Sequence, residues 1–339
     1  MLKRAKEKKA ELIDKAIQHI HRKLPKSEAD LIEKFVRVYY ASAAPEDILK
    51  LSVIDLYGQI VSHWNFISQR EPQEAKVRVY NPQFEMHGWQ STHSVLELVQ
   101  EDMPFLIDSV RLELNRRGLN VHLILHIGNL QIVRHKEGQI TDIKVKQPKN
   151  HEGILEAPMF IEFDRQGDEN LLDDIKNAVI AILGQVRLCV HDWPNMIDNM
   201  SKVVQELDDN PKPESKNEIL EVIDFLKWLK EDHFTFLGYC KVNFKGEGAA
   251  KEWSLAPNTA LGILRLGIEG YFDKLQDLPE DAKQAVLSKE PLLISKANRP
   301  SKVHRPANPD LIAIKHFDSQ GEVVGQHYFI GLFTNEAYN

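Results

Sequence analysis

Residues 119–127 alternate strictly, with Leu119, Val121, Leu123, Leu125 and Ile127 separated by Asn120, His122, Ile124 and His126. A period of two is the side-chain repeat of an extended chain, so this stretch predicts a strand with one well-buried face. The residues before it have a different period. Leu106, Ile107, Val110 and Leu114 recur at helical spacing from Pro104 onward, and Arg116, Arg117 and Gly118 put cations and a glycine where a helix should stop. A helix over 104–117 follows, and Val95–Gln100 ahead of it reads as a short strand.

The same grammar then repeats. After a hairpin excursion between about 130 and 150, Pro158–Phe163 reads as strand, Leu171, Ile175, Val179 and Ile182 as helix, and Gln185–Val190 as strand. The order β-α-β-β-α-β predicts a ferredoxin-like domain, with two helices on one face of a four-stranded antiparallel sheet. The other face and the edges are then open to another sheet or domain.

The flanks complete an α+β chain of several domains, as 339 residues require. Residues 1–75 are a helical region of three helices, with Pro25 and Pro45 at the breaks. The ferredoxin-like domain takes residues 76–193 and a helical linker 194–232, interrupted by the polar Asp208–Glu214. A second, strand-rich α+β domain takes 233–339, with strands at Phe234–Tyr239, Pro291–Ser295, Leu311–Lys315 and Val323–Phe333 and a turn at Asp318–Gly321. The interval 240–290 has weak periodicity. The chain stops at Asn339 directly after a strand, which reads as a segment of something longer.

Charge and chemistry narrow the function. A net charge of −7 gives no field that attracts phosphate backbones, so nucleic acid is not an expected partner. The basic start, Lys3–Lys9, is interrupted by Glu7 and followed by Glu11 and Asp14, and reads as a solvated helix face. No signal-peptide or membrane-spanning apolar run follows it, so the protein reads as cytoplasmic, with no membrane partner. Cys189 and Cys240 fit neither a disulfide framework nor a metal or redox pattern and read as buried thiols. Gly246-Glu-Gly248-Ala-Ala-Lys251 lacks the third glycine and the β-α-β setting of a dinucleotide loop, and neither a phosphate-binding loop nor a nucleophile elbow occurs. His122 and His126 are about 13 Å apart along a strand, too far to share a zinc ion. Trp89 reads as a core tryptophan anchored by its N–H in a structured loop, Gly88–Ser91. No residue is assigned to catalysis, to a cofactor or to a metal.

Residues 97–122 resemble the start of ACT domains, whose first strand runs into an Asp-x-Pro-Gly-Leu-Leu turn. Asp102, Pro104, Leu106 and Ile107 match, Gly118–Val121 resembles the Gly-Ile-Asn-Ile that opens the second ACT strand, and Phe105 stands where most ACT domains have glycine. A wider set of motifs, in order, resembles the amino-terminal region of the large bacterial-type NAD-dependent glutamate dehydrogenases. These are Asp55-Leu-Tyr-Gly, His63-Trp-Asn-Phe, Val77-Arg-Val-Tyr-Asn-Pro, Gly88-Trp-Gln-Ser-Thr-His, Asp102–Val110 and Gly331-Leu-Phe-Thr-Asn-Glu-Ala-Tyr.

The resemblance implies a non-catalytic regulatory and oligomerisation segment. It implies a homo-oligomer and a catalytic domain further along the same polypeptide, with NAD bound there and no cofactor here. The parent reaction would be oxidative deamination of L-glutamate to 2-oxoglutarate. The alternative is a self-contained ACT-type amino-acid sensor. Either way the expected regulatory site is Asp102, Met103, Pro104, Phe105 and Asn120, with an amino-acid effector. Glycine in the turn lets a ligand reach the backbone amides at the helix start, and phenylalanine would shield them. Phe105 therefore shifts the expectation from a ligand pocket to a coupling and assembly element.

Overall fold

A computed structural model of the chain describes residues 2–41, 43–128, 130–145, 154–209, 216–246 and 252–334. These fall into two compact units, Met1–Leu183 and Gly184–Asn339.

The first unit opens with helices α1 (Leu2–Lys23), α2 (Lys26–Tyr39), α3 (Pro45–Ile48) and α4 (Val53–Ile67). Pro25 caps α2 and Pro45 is the first residue of the short α3, places where a missing N–H costs nothing. The Ser52 hydroxyl accepts the Asp55 N–H at 3.1 Å and so caps α4. Ile13, Ile17 and Ile20 of α1, Ile32, Phe35 and Val36 of α2, and Leu56, Ile60 and Trp64 of α4 form one buried cluster. One residue of the basic start is not solvated: Lys9 is buried and donates to the carbonyls of Ala41 at 3.0 Å and Ala43 at 2.6 Å.

Then come β1 (Lys76–Tyr80), α5 (Phe84–His87), β2 (Ser94–Val99), α6 (Leu106–Arg116), β3 (Val121–His126), β4 (Leu130–Arg134), β5 (Ile140–Val145), β6 (Ile154–Glu156) and β7 (Met159–Phe163). Among the described residues, β1-β2-β7-β3 form a four-stranded antiparallel sheet, and β5-β4-β6 form a separate three-stranded one. The expected hairpin excursion is therefore a small sheet, although residues 146–153 lie outside the described residues.

The expected strand at Gln185–Val190 is helix. Those residues belong to α7 (Glu169–Asp209), within which the division between the units falls. Ile175, Val179, Ile182, Val186, Cys189, Met196, Met200, Val203 and Leu207 are all buried at helical spacing, so the apolar run that read as a strand is a continuation of the helical stripe. Pro194 lies inside this helix. The fourth place in the sheet goes instead to β1, which precedes the other three strands.

The sheet's second face is not open either. Val95, Val99, Leu125 and Phe160 join the buried cluster of α1, α2 and α4. Leu96, Leu98, Ile161 and Phe163 on the opposite face are buried too, so every residue of β2 is buried. The predicted strand β3 is present, but it is an edge strand with a bulge between Val121 and Leu123, and of its expected buried face only Leu125 is fully covered.

The second unit adds α8 (Lys216–Trp228), β8 (Phe234–Lys245), β9 (Glu252–Leu255), β10 (Leu261–Gly262), α9 (Glu280–Leu287), β11 (Leu292–Lys296), β12 (Asp310–Phe317) and β13 (Val323–Phe333). Strands pair in the order β10-β8-β13-β12-β11, with β9 also on β8, all antiparallel. Met196, Met200 and Val203 of α7 and Ile219 and Ile223 of α8 pack on Phe236, Ile312, Ile314 and Phe329 of this sheet. The expected strands and the turn at Asp318–Gly321, where Gly321 has φ 78°, are in place. The weakly periodic 240–290 interval holds short elements, β9, β10 and α9. Most of the polar linker after Asp209, most of the Gly246–Lys251 cluster and the end of the Gly331–Tyr338 motif lie outside the described residues. Among those residues no helix is long and apolar enough to cross a membrane.

Candidate regulatory site

The turn between β2 and α6 is where the resemblance to ACT domains predicts a ligand. Asp102 is tied into it by its N–H, which donates to the Leu155 carbonyl at 2.8 Å. Phe105 is the residue that starts α6, and it sits in the left-handed region at φ 71°, ψ 3°. This is a conformation that glycine adopts freely and that a side chain of this size strains. The Phe105 carbonyl accepts the Ser109 N–H at 3.0 Å, so the strained residue is already committed to the first helical turn. Met103 and Phe105 are half-buried and Pro104 is exposed. Two residues before Asp102, Gln100 is fully buried, and its side-chain amide finds no protein partner at either end.

Asn120 is not brought to that turn. It precedes the first residue of β3, whereas Asp102 acts electrostatically on His126, the last residue of that strand. Six residues of strand separate the two places by roughly 20 Å. At its own end Asn120 is held by Asp164, whose Oδ2 accepts its backbone N–H at 2.9 Å and its side-chain Nδ2 at 2.8 Å. The expected five-residue site is thus divided between the two ends of β3.

The Asp164 end borders a concavity of the first unit. A cleft of about 520 Å³ is lined by Asp47, Lys50, Asp55, His93, His122 and Glu162, with residues 90–92 closing one side. His93 and His122 stack at 4.2 Å between ring centres. His122 Nε2 lies 2.7 Å from Asp164 Oδ1, and His93 Nδ1 lies 3.4 Å from Glu162 Oε2. The Asn120 amide and then His122 hold the Asp164 carboxyl below its ordinary range. The cleft therefore offers one lysine and several carboxylates to a polar ligand. The sequence sets His122 with His126 and His93 with His87 and Trp89 ahead of the first ACT-like strand; the bulge and the pairing of β3 with β7 bring His93 and His122 together. The available signal was the Gly88–His93 motif, which reads as a loop.

Residues from four of the motifs that resemble the dehydrogenases lie together in the first unit. His63 Nδ1 lies 3.0 Å from Glu97 Oε1, and Arg78 Nε donates to Glu97 Oε2 at 2.7 Å. Burial would push the Glu97 carboxyl up, but His63 and Arg78 together win and hold it below its ordinary value. Gly58 lies against the 88–89 segment so closely that a Cβ there would be 2.3 Å from the Gly88 carbonyl oxygen. Trp89 is fully buried and packs on Phe160 at 6.0 Å. Its N–H reaches toward the Tyr80 hydroxyl, a looser contact than a regular hydrogen bond. From these motifs Gly58, His63 and Trp89 are buried in the core.

Among the described residues the larger sheets lack the parallel strand–turn–helix unit in which a Rossmann fold cradles a dinucleotide. Its pyrophosphate cradle is a glycine-rich turn between a parallel strand and a helix, and both larger sheets here are antiparallel throughout.

The comparisons with known proteins agree with the motifs. The family described as glutamate dehydrogenase, ACT1 domain, matches residues 35–179. The NAD-specific glutamate dehydrogenase of Halomonas elongata is 34% identical over 335 residues, which is 98% of this chain and 21% of that protein. The enzyme of the same name from Pseudomonas aeruginosa is 34% identical over 307 residues, 90% of this chain and 19% of that protein. The chain thus spans about a fifth of the length of these curated relatives. Along nearly its whole length the chain is similar to one region of the NAD-specific glutamate dehydrogenases, and residues 35–179 match the ACT1 domain family of glutamate dehydrogenase.

Proposed function

We propose that this chain is the non-catalytic, amino-terminal regulatory and assembly segment of an NAD-specific glutamate dehydrogenase. The observation that carries this reading is that 98% of the chain aligns with only a fifth of such an enzyme, in a region built of antiparallel sheets and buried ion pairs. In this reading oxidation of L-glutamate to 2-oxoglutarate, with its NAD, belongs to a catalytic domain of the same polypeptide. The enzyme is cytoplasmic and homo-oligomeric, and the ACT1 domain couples subunits or domains. The test compares the chain alone, the full-length enzyme and the full-length enzyme lacking residues 35–179. The expected result is no glutamate-dependent NADH formation by the chain alone, with altered subunit mass or effector response after excision. Turnover by the chain alone would overturn the reading, as would an excised enzyme with unchanged mass and regulation.

A second reading, a self-contained amino-acid sensor, is favoured by two observations. Gln100 presents a buried donor and acceptor beside the Asp102–Phe105 turn, and the His93–His122 cleft offers both signs of charge. A ligand at 100 times its dissociation constant would stabilise the folded chain by about 2.7 kcal/mol. A thermal-shift panel of the amino acids that moves no midpoint rejects this reading.

A further inference from the structure

The second unit contains a constellation that the family resemblance does not touch. Ile314 stands opposite His327 in the β12–β13 ladder, and His316 follows two residues later, so the two histidines share one face of the sheet as diagonal neighbours. A bulge lies immediately after His316. That face is the one covered by α7, because Ile314 and Phe329 pack with Met200 and Val203. From α7 comes Glu206. Its Oε2 lies 3.2 Å from His316 Nδ1 and 3.4 Å from His327 Nε2, and the three ligand atoms all fall within 4.8 Å of one another.

We propose that Glu206, His316 and His327 bind a divalent transition-metal ion, with Zn²⁺ the ion their chemistry suits best. Three observations converge on this. Two imidazole nitrogens and one carboxylate oxygen are a standard donor set for such an ion, and ligands around a tetrahedral zinc with bonds of about 2.0–2.1 Å lie about 3.3 Å apart. The two carboxylate–imidazole separations match that spacing. His327, only 5% exposed, is oriented from behind by the Tyr239 hydroxyl 2.9 Å from its Nδ1, which leaves Nε2 turned toward Glu206. When the hydroxyl accepts from Nδ1–H, Nε2 is left as a free donor to a metal, and such an outer partner is a regular companion of metal ligands. Glu206, at 45% exposure, gives an ion a path from solvent. A water would complete four-coordination. Lys241, opposite His327 in the β8–β13 ladder, is a nearby group that repels a cation, and the Glu206 carboxylate offsets it. Bound metal would pin the later part of α7 to β12 and β13 within this unit.

The test uses the whole 339-residue chain, freed of metal with EDTA, and titrates it with Zn²⁺ and with Co²⁺ as a spectroscopic stand-in. One equivalent binds per chain, raises Tm, and with Co²⁺ gives the intense visible bands of four-coordination. Glu206→Gln and His316→Asn, both at solvent-reachable positions, keep the circular dichroism of the metal-free parent. They lose more affinity than the roughly 10–100-fold expected for the outer-partner variant Tyr239→Phe. Lys241→Gln tightens binding. Absence of saturable one-to-one binding overturns the proposal, and so does undiminished binding by both ligand variants, which would put the ion on other histidines.

Discussion

Phe105 holds a left-handed conformation that costs a side-chain-bearing residue of order 1–3 kcal/mol unless its surroundings enforce it. Replacing it with glycine removes that strain but gives the unfolded chain more freedom, a loss of about 0.4–1 kcal/mol, so the net effect on stability is small. Phe105→Gly should therefore change Tm by only a few degrees while exposing the amides at the start of α6. An amino-acid-dependent thermal shift should appear that the parent chain lacks; a collapse of Tm would show instead that the ring is an essential part of the core. The anomaly at 105 was legible as a departure from the ACT pattern. The backbone strain was not, since a sequence carries no φ. Glu97 is a second residue whose role needed the fold. Its carboxyl titrates below its ordinary value, so its contribution to stability is complete above the unfolded value of about 4.3 and is lost as the pH falls through the lower folded value. Glu97→Gln should lower Tm at pH 7, and the gap from the parent should narrow between pH 5 and pH 3. A gap that stays constant across that range would remove Glu97 from the acid response.

Elements tied by buried charge make a sharper prediction than elements tied by apolar packing. Glu156 of β6 is fully buried, and its Oε1 accepts from Arg70 Nη2 at 3.0 Å and Arg134 Nε at 2.7 Å, while Arg134 Nη2 also reaches Oε2 at 2.7 Å. Arg134 donates further to the carbonyls of Ile67 at 3.0 Å and Ser68 at 3.2 Å, at the end of α4 where the helix dipole favours a cation. The small sheet is thereby fastened to the helical layer. Removing the carboxylate leaves buried guanidinium charge uncompensated, so Glu156→Leu should cost about 3–5 kcal/mol in urea unfolding. A loss below about 1 kcal/mol would mean that the network relaxes freely. None of this was visible in the sequence, where Arg70, Arg134 and Glu156 are scattered polar residues. What was visible at this scale were elements whose period is local: α6, β2, β7 and the long strands β8, β12 and β13. The misreading of Gln185–Val190 has the same root, because a six-residue apolar run satisfies both periods until the buried positions on either side are known. Likewise β1 fills the sheet from outside the expected order, a choice made by pairing across the fold. The candidate site followed suit: the turn at 102–105 was readable from its residues, whereas His93 beside His122 and the cluster at Glu206 are assembled from segments far apart in sequence.

At the scale of the molecule, both cysteines belong to the second unit, and both are reporters of it. Burial pushes the Cys189 and Cys240 thiols up to about 12. At pH 8 a thiol with that value is ionised in only about one molecule in ten thousand, and the thiolate is the reactive form. Native chain should resist a disulfide reagent such as DTNB, and both thiols should appear on unfolding. Rapid native labelling of either would contradict the packing around it.

The complete burial of β2 sets the size of what evolution can move. A sheet with one bare face could be passed between genes as a small cassette beginning near residue 76. Here Val95, Val99 and Phe160 are dried by α2 and α4, so such a cassette would arrive with an adhesive surface and be lost to aggregation. The smallest heritable piece must bring its helical cover with it, and the ACT1 match begins at residue 35, inside α2, rather than at the first strand.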